Sequence, residues 1–228
     1  MNPHLAVWLA GPSARGHFEA DAQTPEDRER WAKLTHPERQ AEWEVSRALL
    51  AHVRAAYSAS HEAARTEPAL ASPLSLSHSH GHAAVAASHT ARGLGVDLEG
   101  VRRRDFLRLA RFAYSAAELA QLQALPAPAR AERFYVLWTL KEAFAKALSL
   151  PLLQSASQCT FVQVNDAWRA SVPAPGAWIA RTFRPSDLFV LSVVALLPET
   201  TRGSFSISTG EWPEAAPPWP LLATLSSA

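Results

Sequence analysis

The segment Phe134-Tyr-Val-Leu-Trp138-Thr-Leu-Lys141-Glu142-Ala-Phe-Ala-Lys146-Ala-Leu148 constrains this chain more than any other. At about 100° per residue, Phe134, Leu137, Leu140, Phe144 and Leu148 fall on one flank, the stripe of a helix that faces a core. Trp138, Glu142 and Lys146 follow one another at i, i+4 and i+8 on a different flank. Taken alone, Glu142 and Lys146 make an ordinary solvated pair worth about 0.3–0.5 kcal/mol.

Around this helix the chain reads as mixed. Leu5 to Leu9 is a short apolar run closed by Gly11-Pro12, a first strand. Thr24-Pro25-Glu26-Asp27 has the cap, proline and early acids of a helix start, and His36-Pro37-Glu38 repeats the signal for a helix to about Tyr57. On that helix Arg39 and Arg47 lie two turns apart. Ala59 to Pro73 reads as a loop. Apolar runs around Ser77, Val85 and Val96, divided by turn residues, read as a small antiparallel sheet. Strand alternation puts Asp97 and Glu99 on one face, with Val96 and Leu98 on the other.

Val101 to Arg111 gathers Arg102, Arg103, Arg104, Arg108 and Arg111, either a solvated helix face or a dock for an acidic partner. Ser115-Ala-Ala-Glu118 is a capping-box start. Beyond Pro151 the pattern turns to strands, 160–164, 168–172, 178–183 and 188–196. Residues 199–228, rich in Pro, Ser and Thr, read as an extended or flexible tail.

With 228 residues, 48% of them hydrophobic, the default is a folded globule. A net charge of +1 supplies no general field for nucleic acid or a membrane surface, so anion recognition must be local. The single Cys159 excludes an intramolecular disulfide and fits a reducing compartment. The N-terminus lacks the basic start and long apolar run of a secretory signal, and no stretch of about 18 apolar residues occurs. The expectation is a soluble cytoplasmic protein.

Two carboxylates side by side on a strand repel unless something positive lies between them, and oxygen ligands so spaced suit Mg²⁺. Three pieces stand in order: Ser77-His78-Ser79, then Gly95-Val-Asp97-Leu-Glu99, then Trp138-Thr-Leu-Lys141-Glu142-Ala-Phe-Ala-Lys146. Together they resemble the 4'-phosphopantetheinyl transferases of the surfactin-synthetase-activating (Sfp) type, whose signature is a GVD-x-E strand followed by a W-x-x-KE-x-x-x-K helix. Arg111-Phe-Ala-Tyr-Ser-Ala-Ala-Glu118 and Arg133-Phe-Tyr are similar to the family's linking segment.

That resemblance implies an α+β fold, a pseudo-dimer of two similar halves, each a small antiparallel sheet packed against a long helix. The halves would be 1–94 and 95–198, with the seam near Gly95. It implies transfer of the phosphopantetheine arm of coenzyme A to a serine of an acyl or peptidyl carrier protein by a monomeric enzyme. Asp97, Glu99 and Glu142 would hold Mg²⁺ against the coenzyme A pyrophosphate. Lys146 would contact a phosphate beside the reacting centre, and Glu142, Lys146 or a metal-bound water would take the serine proton. Ser77 and His78, with Arg39 and Arg47, would bind the nucleotide, and Arg47 matches the family better than Arg39. Trp138 would fix the helix, with Lys141 in support.

The chain departs from the family at Ser149 and Pro151, where glycines are usual, and at Glu67-Pro68, where lysine-proline is. Two other readings stand beside the enzyme. One is a non-catalytic protein that binds coenzyme A or a carrier. The other is a metal module in which His78, His80 and His82 line one face of a strand, with His89 nearby.

Overall fold

A computed structural model describes residues 4–62, 73–199 and 206–227. The chain is mixed α+β. One sheet orders its strands β2-β3-β1-β9 and the other β10-β7-β8-β4. In the first, β1 (His4–Ala10), β2 (Leu74–Ser79) and β3 (His82–Ser88) are antiparallel neighbours, and β9 (Ser206–Trp212) joins β1 in parallel. In the second, β4 (Gly93–Gly100), β7 (Trp178–Ser186), β8 (Phe189–Leu196) and β10 (Leu221–Ser226) are antiparallel throughout. The hairpin of β5 (Thr160–Val164) and β6 (Ala167–Ser171) stands apart.

Alternation along the strands explains the layers. On β3, Ala83, Val85 and Ala87 pack against Val45, Leu49 and Val53 of α2 (Pro37–Glu62), while Ala84 and Ala86 turn inward. Those inward alanines meet Leu5, Val7 and Leu9, and also Val96, Leu98, Leu191 and Val193 of the other sheet. The two sheets therefore share an apolar layer, and α5 (Ala127–Leu148) covers the far face through Phe134, Leu137, Leu140 and Phe144 against Val190 and Val194. Each such side chain contributes about 1.5–3 kcal/mol by leaving water.

The expected helix starts hold. Thr24 accepts from the Asp27 N–H ahead of α1 (Pro25–Ala32). Ser115 and Glu118 form both bonds of a capping box on α4 (Ala116–Ala124). The arginine-rich stretch enters α3 (Phe106–Ala113), capped by Asp105. Ser149 ends α5 in the left-handed region at φ 54°, the conformation for which glycine is usual, so the serine takes over the glycine's position.

Several expectations are corrected. The strand around Val96 does not extend the sheet of Ser77 and Val85; β4 pairs with β8 instead. Pro151 opens another helix, α6 (Leu152–Gln158), before the strands begin. The segment read as an extended or flexible tail supplies β9 and β10, one strand to each sheet. The loop placed from Ala59 begins later, because α2 runs to Glu62; Glu67-Pro68 lies outside the described residues.

Candidate functional site

Between positions 134 and 147 of α5, every residue is buried except Trp138, Glu142 and Lys146. The helix is enclosed on all sides but one, and the open line is the polar stripe. It lies over β4 at very close range: a Cβ on Gly95 would come 1.9 Å from the Ala143 carbonyl oxygen, and one on Gly93 2.4 Å from that of Ala147. Only glycine admits this approach, and it brings the helix stripe down onto Asp97 and Glu99, which share the α5 side of the strand.

The contacts follow the helix. Trp138 Nε1 donates to Glu99 Oε1 at 3.1 Å. One turn on, Glu142 is flanked by both strand carboxylates. A further turn on, Lys146 Nζ donates to the Val96 carbonyl at 2.8 Å and to Asp97 Oδ1 at 2.9 Å. Asp97 Oδ1 also accepts from the Ser77 hydroxyl at 2.9 Å, whereas Oδ2 is buried and has no partner.

All three carboxyls hold protons more tightly than usual. Burial raises Asp97 against the pull of Lys146. Burial and then Asp97 raise Glu99. Glu142 is pushed up to about 7, by burial first and then by Asp97, with Glu99 adding to it and Lys146 opposing. Three carboxyls against the Lys146 ammonium and the Arg104 guanidinium that acts on Glu99 still leave an excess of negative charge when all are ionised, which a bound cation would relieve. Among the described residues, no group of three or more His, Cys, Asp or Glu side chains is arranged to hold a metal ion. The donor set still fits a hard cation that takes one or two carboxylates and fills its other positions with water and phosphate. The orphaned Asp97 Oδ2 is the atom that such an ion would satisfy.

A cavity of about 750 Å³ lies between α2 and the β2–β3 turn, and Arg15, Arg39, Glu42, His80 and Arg102 are among its lining residues. Arg39 is thus placed on it. Arg47 is not among the lining residues: its guanidinium stacks 3.8 Å over Trp43 and donates to Asp27 at 3.1 Å. Ser77 is buried, with its hydroxyl spent on Asp97 and the Leu98 N–H. His78 is half exposed and pairs through Nδ1 with Glu42 Oε2 at 3.2 Å.

The histidine alternation is broken by the turn. His80 and Gly81 both take positive φ between Ser79 and its partner His82, so the three histidines do not share one strand. Sequence reasoning missed Glu42, which holds His78 and also accepts the Gly81 N–H at 3.2 Å. Its place one turn before Ser46 on a helix already marked by Arg39 was the available signal. It also missed Arg15 and Arg102 as cavity residues.

A search of curated proteins returned no match to this chain. Residues 93–184, which begin with β4, include all of α5 and end in β7, match the family model described as the 4'-phosphopantetheinyl transferase superfamily.

Proposed function

We propose that this protein transfers the 4'-phosphopantetheine arm of coenzyme A to a serine of an apo carrier protein, as enzymes of the Sfp type do. The observation that carries the reading is the stripe Trp138, Glu142 and Lys146, the only part of α5 between positions 134 and 147 left open, set against Asp97 and Glu99 within the matched segment. The serine Oγ attacks the phosphorus that bears the pantetheine arm. The new Oγ–P bond replaces the bond to the bridging oxygen, and adenosine 3',5'-bisphosphate leaves. The serine proton passes to Glu142 or Lys146, the two titratable side chains of the open stripe.

Such transfer is mainly positioning and charge neutralisation. Asp97, Glu99 and Glu142 would offer the one or two carboxylates that Mg²⁺ takes, and the ion would supply neutralisation of the pyrophosphate when bound. Lys146, anchored on Val96 and Asp97, presents its remaining N–H as a point charge to a phosphate oxygen. The arginines of the cavity, Arg15, Arg39 and Arg102, supply the positive charge for the nucleotide phosphates, with His80 on the same lining and His78 near it as imidazole hydrogen-bond partners.

A smaller apolar groove of about 160 Å³ opens beside the carboxylates, lined in part by Glu99, Leu109, Phe112, Trp138 and Leu153. Phe112 and Leu153 are 81% and 78% exposed at its rim. Arg103, Arg104, Arg108 and Arg111 lie on the same arginine-rich stretch, which makes this the surface for the acidic helix of a carrier protein. No described helix is long and apolar enough to cross a membrane, and the working form is proposed to be a cytoplasmic monomer.

The test is mass spectrometry of an apo carrier protein incubated with the enzyme, coenzyme A and Mg²⁺. A mass gain equal to the phosphopantetheine arm is expected, and it should be lost in Asp97→Ala and Glu142→Gln variants that remain folded. Binding of carrier or coenzyme A with no mass gain across a panel of carriers would leave a binding protein instead.

A further inference from the structure

β2 carries a serine at every second position, and each hydroxyl accepts a backbone N–H of β4. Ser75 takes that of Val96 at 2.9 Å, Ser77 that of Leu98 at 3.2 Å and Ser79 that of Gly100 at 3.1 Å. β4 is the edge of its sheet, so these alternate N–H groups point away from β8 into a buried seam, where leaving them unpaired is costly. Side chains of one sheet thus stand in for a missing neighbour strand of the other, and the register between the sheets is set at three successive steps.

The three serines differ in their second contact. Ser79 meets His80 Nδ1 at 2.7 Å. Ser77 donates to Asp97 Oδ1 at 2.9 Å, and is fixed in direction because its oxygen is already held by the Leu98 N–H. Asp97 Oδ1 then has two donors, Ser77 and Lys146, from opposite elements, while Oδ2 has none. Two donors on one oxygen fix the plane of the carboxylate and so aim the other oxygen.

We propose that Ser77 is a positioning residue, holding Asp97 so that Oδ2 faces the cation, and that the N-terminal sheet sets the geometry of the carboxylate site through it. The inference rests on the metal-assisted reading above. Partners of this kind orient metal ligands, and their loss typically weakens metal affinity by about 10- to 100-fold.

Mn²⁺ serves as the probe, with its free concentration followed by electron paramagnetic resonance at saturating coenzyme A. Ser77→Ala should weaken Mn²⁺ binding about tenfold or more. Ser75→Ala removes an equivalent acceptor from β4 without touching Asp97 and should stay within about twofold of the wild type, since such a loss acts on stability alone. Ser77→Thr keeps the hydroxyl and should restore binding. Should Ser77→Ala fail to fold, Ser77→Cys, similar in shape but a weak donor, takes its place. A Ser77→Ala protein that binds Mn²⁺ as well as Ser75→Ala overturns the positioning role alone. A wild type that binds no Mn²⁺ overturns the carboxylate site, and this inference with it.

Discussion

The ammonium of Lys141 lies 3.1 Å from the carboxylate of Glu118, with 1% and 0% of the two side chains exposed. Glu118 also accepts the N–H groups of Ser115 at 2.7 Å and Phe161 at 2.8 Å, and Lys141 donates to the carbonyls of Ala156 and Cys159. One buried pair therefore ties α5 to α4, to the end of α6 and to the start of β5. Lys141 immediately precedes Glu142, so rooting it in the core fixes the rotation that turns Glu142 toward β4. Lys141→Met or Glu118→Gln alone leaves an unmatched buried group, and Lys141→Met is expected to cost about 3–5 kcal/mol in urea denaturation. The double variant should recover much of that loss; equal losses in single and double variants would refute the pairing.

Glu142 makes stability depend on pH in an unusual direction. Its carboxyl is pushed from 4.5 up to about 7 in the folded chain, so between those values the folded state keeps a proton that the unfolded state has released. Its contribution to stability therefore falls as pH rises from about 4.5 to 7 and is level above that. Glu142→Gln removes this share, while the raised Asp97 and Glu99 keep theirs. Calorimetry in chelator should show the variant gaining on the wild type from about pH 5 to 7.5, and a constant difference in Tm would contradict the assignment.

Gly95→Ala tests the close approach of α5 and β4. The added methyl would fall 1.9 Å from the Ala143 oxygen, so the helix has to shift. Overpacking of this kind costs about 1–3 kcal/mol or more. Because the shift separates Glu142 from Asp97, carrier loading should fall even at temperatures where circular dichroism shows the variant folded. Full activity would mean that the stripe tolerates displacement.

Glu42 occupies the His78 imidazole and the Gly81 N–H on a cavity lined by three arginines, and the His78 bond is the main cause of its lowered pKa. An anionic ligand must displace this carboxylate or work around it. Glu42→Gln should tighten binding of adenosine 3',5'-bisphosphate about tenfold by calorimetry, the scale of one charge-assisted hydrogen bond. Weaker binding would instead make Glu42 a supporting partner of His78.

Local chemistry was legible in the sequence where one element determines it. Period two set Asp97 and Glu99 together, period 3.6 separated the Trp138–Glu142–Lys146 line from the apolar flank, and the capping box at Ser115 formed as read. Contacts between distant elements left weaker marks. The hydroxyl of Ser77 is used on β4 and not on the cavity, and Arg47 is held by Asp27 from α1, because each is decided by a partner that no local period announces. The alternation Ser75, Ser77, Ser79 on a strand that should bury one face was the available trace of the seam. His80-Gly81 concealed a tight turn inside a run that alternates like a strand. The closing strands were masked by prolines between them and by exposed serine and threonine positions, which resemble a loose segment until the register with β1 and β7 is known.

β9 and β10 carry a further meaning for how the protein is made. As the chain emerges from the ribosome, β1 and β7 exist long before the partners that finally cover their outer edges. β1 and β7 stay uncovered until residues 206–226 arrive, and the same late segment then pairs with both. Synthesis thus passes through a stage in which almost everything, including the carboxylate strand and its helix, is present while two strand borders remain free to pair with neighbouring chains.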